Sequence, residues 1–180
     1  VVPSGSYRMG SLESEKGRDD DEGPVHRVTI PAPFAVGRFE VTVGQYRRFA
    51  EATGRGSGDG CIIYEGGVWK EDARRNWRDP GFDQDDNHPV VCVNWDDAKG
   101  FVAWLSEDTG KAYRLLSESE WEYIARARTT TRRYWGDDLD EGAVCGKANG
   151  AGGETAFDWR NTACADGYPH TAPVGQFGGN

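Results

Sequence analysis

The sequence predicts an α+β fold in which short helices and short strands are joined by long loops. Three stretches carry a helical apolar stripe behind a polar cap, whereas the β-branched runs are short and scattered. The stretches do not alternate as strand–helix–strand units, which argues against a doubly wound sheet or a barrel. The chain has 25 Gly, 7 Trp, 7 Tyr and 7 Phe in 180 residues, so we expect many turns around a core of large rings.

The first part of the chain predicts three strands. Residues 1–11 indicate a strand and a turn, and an acidic loop follows through Gly23. Residues 25–30 are rich in β-branched side chains and are followed by two prolines, as is typical of a strand that stops. Residues 34–41 predict a further strand that leads into the first helix.

The first helix has a clear start and a clear end. Thr42 is the predicted N-cap and Gln45 completes a capping box with it, while Gly54 ends the helix. The predicted inward stripe consists of Val43, Tyr46, Phe49 and Ala50. Residues 55–87 then form a long irregular excursion with one possible hairpin at Gly66 and Gly67, typical of a functional or disulfide-pinned loop.

The second helix is predicted from Asn94, its N-cap, to Gly110. Its core-facing stripe consists of Ala98, Phe101, Val102 and Leu105.

A short strand over 112–115 and a third helix are predicted next. Ser117 and Glu120 form another capping box, and the helix reaches about Ala127. After Trp135 the chain is rich in turn residues.

Composition narrows the classes of partner. The net charge of −9 argues against a nucleic-acid partner, which needs a positive surface. No apolar run approaches the ~18 residues of a membrane span, so no transmembrane segment is predicted. Acidic residues cluster at 19–22, 83–86 and 137–138. Each cluster is interpreted either as a solvated loop face or as a cation site.

The four cysteines, Cys61, Cys92, Cys145 and Cys164, do not have zinc-site spacing. Two disulfides in an exported protein are one interpretation, and four free thiols in a cytosolic protein are the other. Cys61–Cys92 with Cys145–Cys164 is the most local of the three possible pairings. We therefore expect a periplasmic or secreted protein.

Several motifs together resemble one known family. They are residues 2–10 (VPSGSYRMG), 34–42 (FAVGRFEVT), 88–98 (HPVVCVNWDDA), 115–123 (LLSESEWEY), 148–149 (AN) and 171–175 (TAPVG). In this order they resemble the formylglycine-generating enzyme, or sulfatase-modifying factor, family. The resemblance implies a C-type-lectin-like α+β fold. It also implies that residues 1–180 are one sulfatase-modifying-factor-type domain without the family's C-terminal segment.

The best-known members of that family oxidise a protein cysteine to formylglycine with oxygen and copper. The resemblance implies that copper is held by two cysteines beyond a Gly-Asn-x-Trp-Glu-Trp motif, whereas this sequence stops at residues 176–180 (QFGGN). None of the four cysteines matches the copper positions, and Cu(I) is a soft ion that needs thiolates. We therefore assign no catalytic residue, and copper is expected only if the further segment exists.

The resemblance also implies a structural calcium ion. The matching ligands are the Asn149 side chain, the Gly150 carbonyl, the Asp166 side chain and the Tyr168 carbonyl. Oxygen ligands of this kind suit calcium. The alternative is that Asn149 and Asp166 are ordinary turn residues. The second cysteine pair flanks this site, so a disulfide there would fix the loop. A second calcium site of the family should be incomplete.

Iron is a weaker alternative, because the family includes sulfoxide synthases that bind iron through histidines. His26, His88 and His170 do not have the required spacing, so each is interpreted as a surface or structural histidine.

The aromatic content suggests a recognition surface. Trp69, Trp77, Trp135 and Trp159 lie in predicted loops. With nearby arginines they could form a face that contacts protein, since Trp and Arg dominate interface hot spots. The arginines concerned are Arg74, Arg75, Arg78, Arg132 and Arg133. The alternative is that these rings pack beneath the long loops as a small core.

The sequence therefore favours a calcium-stabilised, non-catalytic binding or accessory module that contacts another protein or subunit. The alternative is a copper-dependent formylglycine-generating oxidase whose catalytic part lies outside these residues. The sequence leaves open whether the protein is an enzyme, which partner it binds and whether the native chain continues past Asn180.

Overall fold

A computed structural model describes residues 1–58, 60–137 and 141–179. Contacts divide them into two compact units, and each is described by itself. The first unit consists of residues 1–37 and 116–137. The second consists of residues 38–58, 60–115 and 141–179. Asp138 of the third acidic cluster lies outside the described residues.

Short helices and strands alternate with long loops. In chain order the elements are β1 (Gly5–Met9), β2 (His26–Ile30), α1 (Val43–Thr53), β3 (Cys61–Glu65), β4 (Val68–Asp72), α2 (Trp95–Thr109), α3 (Glu118–Arg126) and α4 (Glu141–Val144). The strands form two antiparallel pairs, β1 with β2 and β3 with β4, and the described residues contain no closed sheet. This is the α+β class predicted from the sequence. None of the helices in the described ranges has the length and apolar character that crossing a bilayer requires.

In the first unit, α3 packs on one face of the β1–β2 pair. The rings of Tyr7 and Tyr123 lie 5.4 Å apart, and the Tyr7 hydroxyl donates to the Ser119 carbonyl at 2.8 Å. Burial raises the pKa of Tyr7 to about 12. Arg126 then ties the helix to the end of β1, because it donates to Glu122 at 2.6 Å and to the Gly10 carbonyl at 2.8 Å.

The second unit is built on a cluster of buried side chains between α1 and α2, four of which are aromatic rings. Each of the cluster's five members is at most 7% exposed: Tyr46, Phe49, Ala50, Trp77 and Phe101. The Tyr46 ring lies 5.3 Å from Phe49 and 5.1 Å from Trp77, both edge to face, which aromatic pairs favour. The stripe predicted for the first helix is buried as expected.

All three predicted helix starts are confirmed. The Thr42 hydroxyl accepts a hydrogen bond from the Gln45 amide at 3.3 Å, and the Thr42 amide donates to the Gln45 side chain at 3.1 Å. Asn94 and Ser117 form the same arrangement at the starts of α2 and α3. Gly54 ends α1 and Gly110 ends α2 with φ of 67° and 66°, a left-handed conformation in which glycine is least strained.

Two predicted strands are wrong. In residues 34–41 Phe34 forms a single bridge to Val2 and the Val41 carbonyl accepts the Val90 amide at 2.9 Å, but the residues between them form no strand. Residues 112–115 are not a strand because the Tyr113 amide donates to the Ser106 hydroxyl at 2.9 Å rather than to a neighbouring strand. In the turn-rich end of the chain, the described residues contain one short helix, α4.

The long excursion is a disulfide-pinned hairpin. β3 and β4 pair from Cys61 opposite Asp72 to Glu65 opposite Val68, so the turn falls at Gly66 and Gly67 as predicted. Cys61 is bonded to Cys92.

Candidate metal centre and aromatic surface

The loop that follows α4 is closed on itself. Cys145 is bonded to Cys164, which confirms the local pairing of the second two cysteines. Within the loop, Gly153 donates its amide to the Cys164 carbonyl at 2.8 Å, and Asn161 donates its amide to the Ala151 carbonyl at 2.7 Å. The two ends of the loop are therefore held together by one covalent bond and by main-chain hydrogen bonds.

The four residues predicted to bind calcium lie together at the base of this loop, with Gly150 joined to the others through its amide. The side-chain nitrogen of Asn149 donates to Asp166 Oδ2 at 3.2 Å and to the Tyr168 carbonyl at 3.4 Å. The Gly150 amide donates to Asp166 Oδ2 at 2.7 Å, and the Tyr168 amide donates to Asp166 Oδ1 at 2.8 Å. A carboxylate oxygen and a main-chain oxygen thus converge on one end of the Asn149 side chain.

This donor set fits a calcium ion. Rotating the Asn149 side-chain amide by half a turn exchanges its nitrogen and its oxygen. The oxygen then lies beside Asp166 Oδ2 and the Tyr168 carbonyl, where the nitrogen lies now. The Gly150 carbonyl accepts a bond from Gly152 at 2.9 Å and keeps a second lone pair. Neutral oxygens with one carboxylate are ligands that calcium accepts. Among the described residues, no group of three or more His, Cys, Asp or Glu side chains is placed to hold a metal. Calcium binding itself stays a prediction.

Glu154 belongs to this site and was missed from the sequence. Its Oε1 accepts hydrogen bonds from the amides of Asp166 at 2.8 Å and Gly167 at 2.9 Å. Hydrogen bonds lower the pKa of the Glu154 carboxyl. The largest contribution comes from its own backbone amide, and Asp166 and Gly167 add smaller ones. Oε2 is buried without a hydrogen-bond partner. No spacing rule distinguishes Glu154 from a surface glutamate, so only the folded loop could reveal it.

Between its two ends, the same loop presents two rings to the β3–β4 hairpin. We call the resulting group the aromatic surface: Tyr64, Trp69, Phe157 and Trp159. Phe157 lies 5.0 Å from Tyr64 and stacks on Trp159 at 4.5 Å. The Tyr64 hydroxyl donates to Asp158 at 2.7 Å. Trp69 is 61% exposed and Trp159 is 57% exposed, so much of this ring area faces solvent.

The other two predicted surface tryptophans have different environments. Trp77 is 2% exposed and belongs to the buried cluster, where its indole donates to the Gly56 carbonyl at 3.3 Å. Trp77 is therefore buried rather than part of a recognition surface, and it lies in the main core of the unit rather than in a separate small core beneath the loops. Trp135 is half-buried against Tyr134, with ring centroids 4.7 Å apart.

Arg74 does not join the aromatic surface as a free cation. It holds Asp72 through a forked pair at 2.9 and 2.7 Å. The hydrogen bonds from Arg74 hold the pKa of Asp72 well below its ordinary value.

The three histidines occupy local structural positions. The ring of His88 lies 3.0 Å from both the Asp85 amide and the Asp85 carboxylate. His170 stacks on Phe82 at 4.3 Å, and His26 lies 2.9 Å from the Pro24 carbonyl. Within the described ranges they do not come together as ligands of one metal.

The two remaining acidic clusters bond to their own surroundings. Asp86 pairs with Arg47, and Asp85 accepts the Asn87 amide at 2.7 Å. The cluster at residues 19–22 forms a single helical turn.

All four cysteines are paired, as Cys61–Cys92 and Cys145–Cys164. In these disulfides none of the four cysteines is a free thiolate of the kind that Cu(I) needs.

Comparison with known proteins agrees with this architecture. The family model described as "Sulfatase-modifying factor enzyme 1-like domain" matches residues 1–180. The formylglycine-generating enzyme of Streptomyces coelicolor is 33% identical over 201 residues, covering 96% of this chain and 60% of that enzyme. The bovine protein named inactive C-alpha-formylglycine-generating enzyme 2 is 32% identical over 168 residues, covering 76% of this chain and 51% of that protein.

A solved structure matches as well. PvdO from Pseudomonas aeruginosa superposes with a TM-score of 0.80 at 38% identity, covering 99% of this chain and 62% of that chain. The chain thus spans about three fifths of the length of the Streptomyces enzyme and of PvdO. Its fold is shared with PvdO and is consistent with the predicted C-type-lectin-like architecture. The chain belongs to the sulfatase-modifying factor family of formylglycine-generating-enzyme-like domains.

Proposed function

We propose that residues 1–180 act as a calcium-stabilised, non-catalytic binding or accessory module that contacts another protein. One observation carries this proposal: every cysteine is used in a disulfide, so these residues contribute no thiolate pair for copper-dependent oxidation. The disulfides also support an oxidising compartment, the periplasm or the outside of the cell.

Calcium has a specific role in this proposal. The ion is held by Asn149, Gly150, Asp166 and Tyr168, which lie at the two ends of the loop that carries Phe157 and Trp159. Closing the loop with an ion limits the conformations of the segment between its ends. Calcium therefore stabilises the aromatic surface as well as the loop.

The proposed occupant of the aromatic surface is a protein. Trp and Tyr are enriched at the energetic centres of protein interfaces, and Trp69 and Trp159 expose more than half of their surface. The surroundings are polar: Glu65 pairs with Lys70 on the hairpin, and Tyr64 binds Asp158. Apolar rings within a polar rim are the usual composition of a protein contact.

The non-catalytic part of the proposal is tested by an oxidation assay. The protein is supplied with copper, oxygen and a sulfatase-derived peptide that contains the target cysteine. The S. coelicolor formylglycine-generating enzyme serves as the positive control. We expect the peptide cysteine to remain unchanged by mass spectrometry. Formation of an aldehyde that a hydrazide reagent traps would contradict the proposal.

A second candidate is a copper-dependent formylglycine-generating oxidase that uses residues outside 1–180. The observation that favours it is that the chain covers only 60% of a relative named as such an enzyme. A relative named as inactive matches at almost the same identity, so overall similarity supports either activity.

Intact mass of the natively purified protein separates the two candidates. The sample is alkylated with and without prior reduction. A mass near 19.8 kDa with four alkyl groups added only after reduction supports the binding module. A larger mass, with further cysteines that alkylate without reduction, supports the oxidase.

A further inference from the structure

The first unit contains an open cavity of about 760 Å³ that the proposed function does not use. It lies where β1 and β2 meet the end of α3 and the segment that follows this helix. Four arginines contribute to its lining: Arg8, Arg27, Arg126 and Arg128. The volume falls within the range of about 300–1,000 Å³ that is usual for small-molecule sites.

Three of the four arginines of this cavity have no carboxylate partner among the described residues. No Asp or Glu is among the described residues that line it, although the whole chain has a net charge of −9. Arg126 is neutralised by Glu122, at 2.6 Å. In the described parts of the chain, no carboxylate pairs with Arg8, Arg27 or Arg128.

Two of these arginines face each other directly. In the register of the β1–β2 pair, Arg8 lies opposite Arg27. Like charges at opposed positions of an antiparallel pair destabilise the sheet. A repulsion of this kind is relieved when an anion binds between or beside the two guanidinium groups, which hold oxyanions through paired hydrogen bonds.

Tyr123 also lines the cavity, on the face of the β1–β2 pair that packs against α3. Arg8 and Arg27 project from the opposite face, because successive side chains of a strand alternate and Tyr7 faces α3. Tyr123 is only 9% exposed, yet its hydroxyl makes no hydrogen bond to another described residue and is not enclosed. A Cβ at Gly5 would approach this hydroxyl to 2.4 Å, so a residue without a side chain leaves the space that the ring needs. Both residues line the cavity.

The geometry points to a binding site for a small oxyanion ligand, carrying a phosphate or a carboxylate group, in the cavity lined by Arg8, Arg27 and Arg128. The arginines supply the charge that binds the ligand. The site is independent of the calcium loop and the aromatic surface, whose residues belong to the other unit.

The test is a calorimetric titration of the protein at about 0.15 M chloride. At this salt concentration, interactions between exposed charges are largely screened beyond about 8 Å, so long-range attraction contributes little to binding. Inorganic phosphate and citrate are the probes, and they distinguish a phosphate ligand from a carboxylate ligand. Arg8→Gln and Arg27→Gln each remove one cavity charge. Arg48→Gln is the matched control, because Arg48 is an exposed arginine of α1 in the other unit.

We expect at least one probe to bind with a Kd below about 1 mM, in the range of modest non-covalent affinity. Each cavity variant should weaken binding about tenfold, as loss of a charge-assisted hydrogen bond does, while Arg48→Gln leaves binding unchanged. Both cavity variants should fold and should be at least as resistant to heat as the wild type, because the opposed charges are relieved. Absence of binding by both probes up to about 10 mM, or equal weakening by Arg48→Gln, would overturn the proposal.

Discussion

The second unit contains two clusters of aromatic rings that are alike in spacing and opposite in exposure. In the buried cluster, Tyr46 lies 5.3 Å from Phe49, and both side chains are 2% exposed. In the aromatic surface, Tyr64 lies 5.1 Å from Trp69, which is 61% exposed. Ring-to-ring geometry alone therefore does not distinguish a core from a contact surface.

The difference lies in what holds each cluster. Three of the four buried rings project from α1 and α2, and the fourth, Trp77, comes from the segment that follows β4. The exposed rings project from a hairpin and from the loop between Cys145 and Cys164, and no described helix covers them. Burial of apolar ring area in the helical cluster makes the free energy of folding more favourable. The aromatic surface keeps apolar ring area exposed, which a partner can bury.

The largest effect is expected from breaking the buried cluster. Phe49→Ala removes a ring that contacts Tyr46, Phe101 and Trp104, and should lower the free energy of unfolding by about 4 kcal/mol. Urea unfolding followed by circular dichroism measures this loss. A loss under about 1 kcal/mol, the size expected for an exposed site, would show that α1 and α2 do not form the main core of this unit.

A smaller effect is expected from opening the loop that supports the aromatic surface. Replacing both Cys145 and Cys164 by Ser removes a crosslink with a sequence separation of 19, so the free energy of unfolding should fall by about 3 kcal/mol. Tryptophan emission should shift as Trp159 leaves the hairpin, while the helical signal of α1 and α2 persists. Unchanged emission and unchanged stability together would contradict the role given to this disulfide.

A third effect concerns how the free energy of unfolding depends on pH through Asp72, at the end of the β3–β4 hairpin. The Arg74 pair lowers the pKa of folded Asp72 below its unfolded value, so its stabilisation is present above the unfolded pKa of about 4 and is lost as the pH falls through the folded pKa. Asp72→Asn should therefore be less stable than the wild type at pH 7, and the difference should shrink in strong acid. Asp108→Asn, at an exposed position of α2, is the control and should show little pH-dependent difference. Urea midpoints across this pH range measure the effect, and a difference that grows in acid would refute it.

The smallest effect on stability is expected at the exposed rings themselves. Trp69→Ala should change the free energy of unfolding by less than about 1 kcal/mol, because most of the side chain is already in water. It should nevertheless weaken the proposed protein contact more than any other exposed substitution on the hairpin. A loss of stability as large as that of Phe49→Ala would place Trp69 in a core instead.

Local signals predicted the helices well. The capping boxes at Thr42 and Ser117 act within one turn, so the sequence alone contains the information that sets these helix starts. The predicted strand at 112–115 failed because strands depend on a distant partner, and Tyr113 binds a nearby hydroxyl instead.

The site was harder to predict than the helices. Trp69 and Trp77 both lie in predicted loops, and only their tertiary contacts separate an exposed ring from a buried one. The proximity of Asn149 to Asp166 followed from family resemblance rather than from spacing, since 17 positions separate them. Glu154 had no signal at all, because its role depends on amides that only the closed loop brings to it.

The central claim is that calcium holds the loop that presents the aromatic surface, and thermal unfolding with and without calcium tests it most directly. After chelation and dialysis, calcium at 100 times its Kd should stabilise the wild type by about 2.7 kcal/mol. That corresponds to a rise in Tm of about 5–10 °C for a chain of this size. Asp166→Asn should abolish the rise, and Asp108→Asn, an exposed substitution on α2 that removes the same charge, should keep it. A wild-type Tm that does not respond to calcium, or an equal response in Asp166→Asn, would contradict the account.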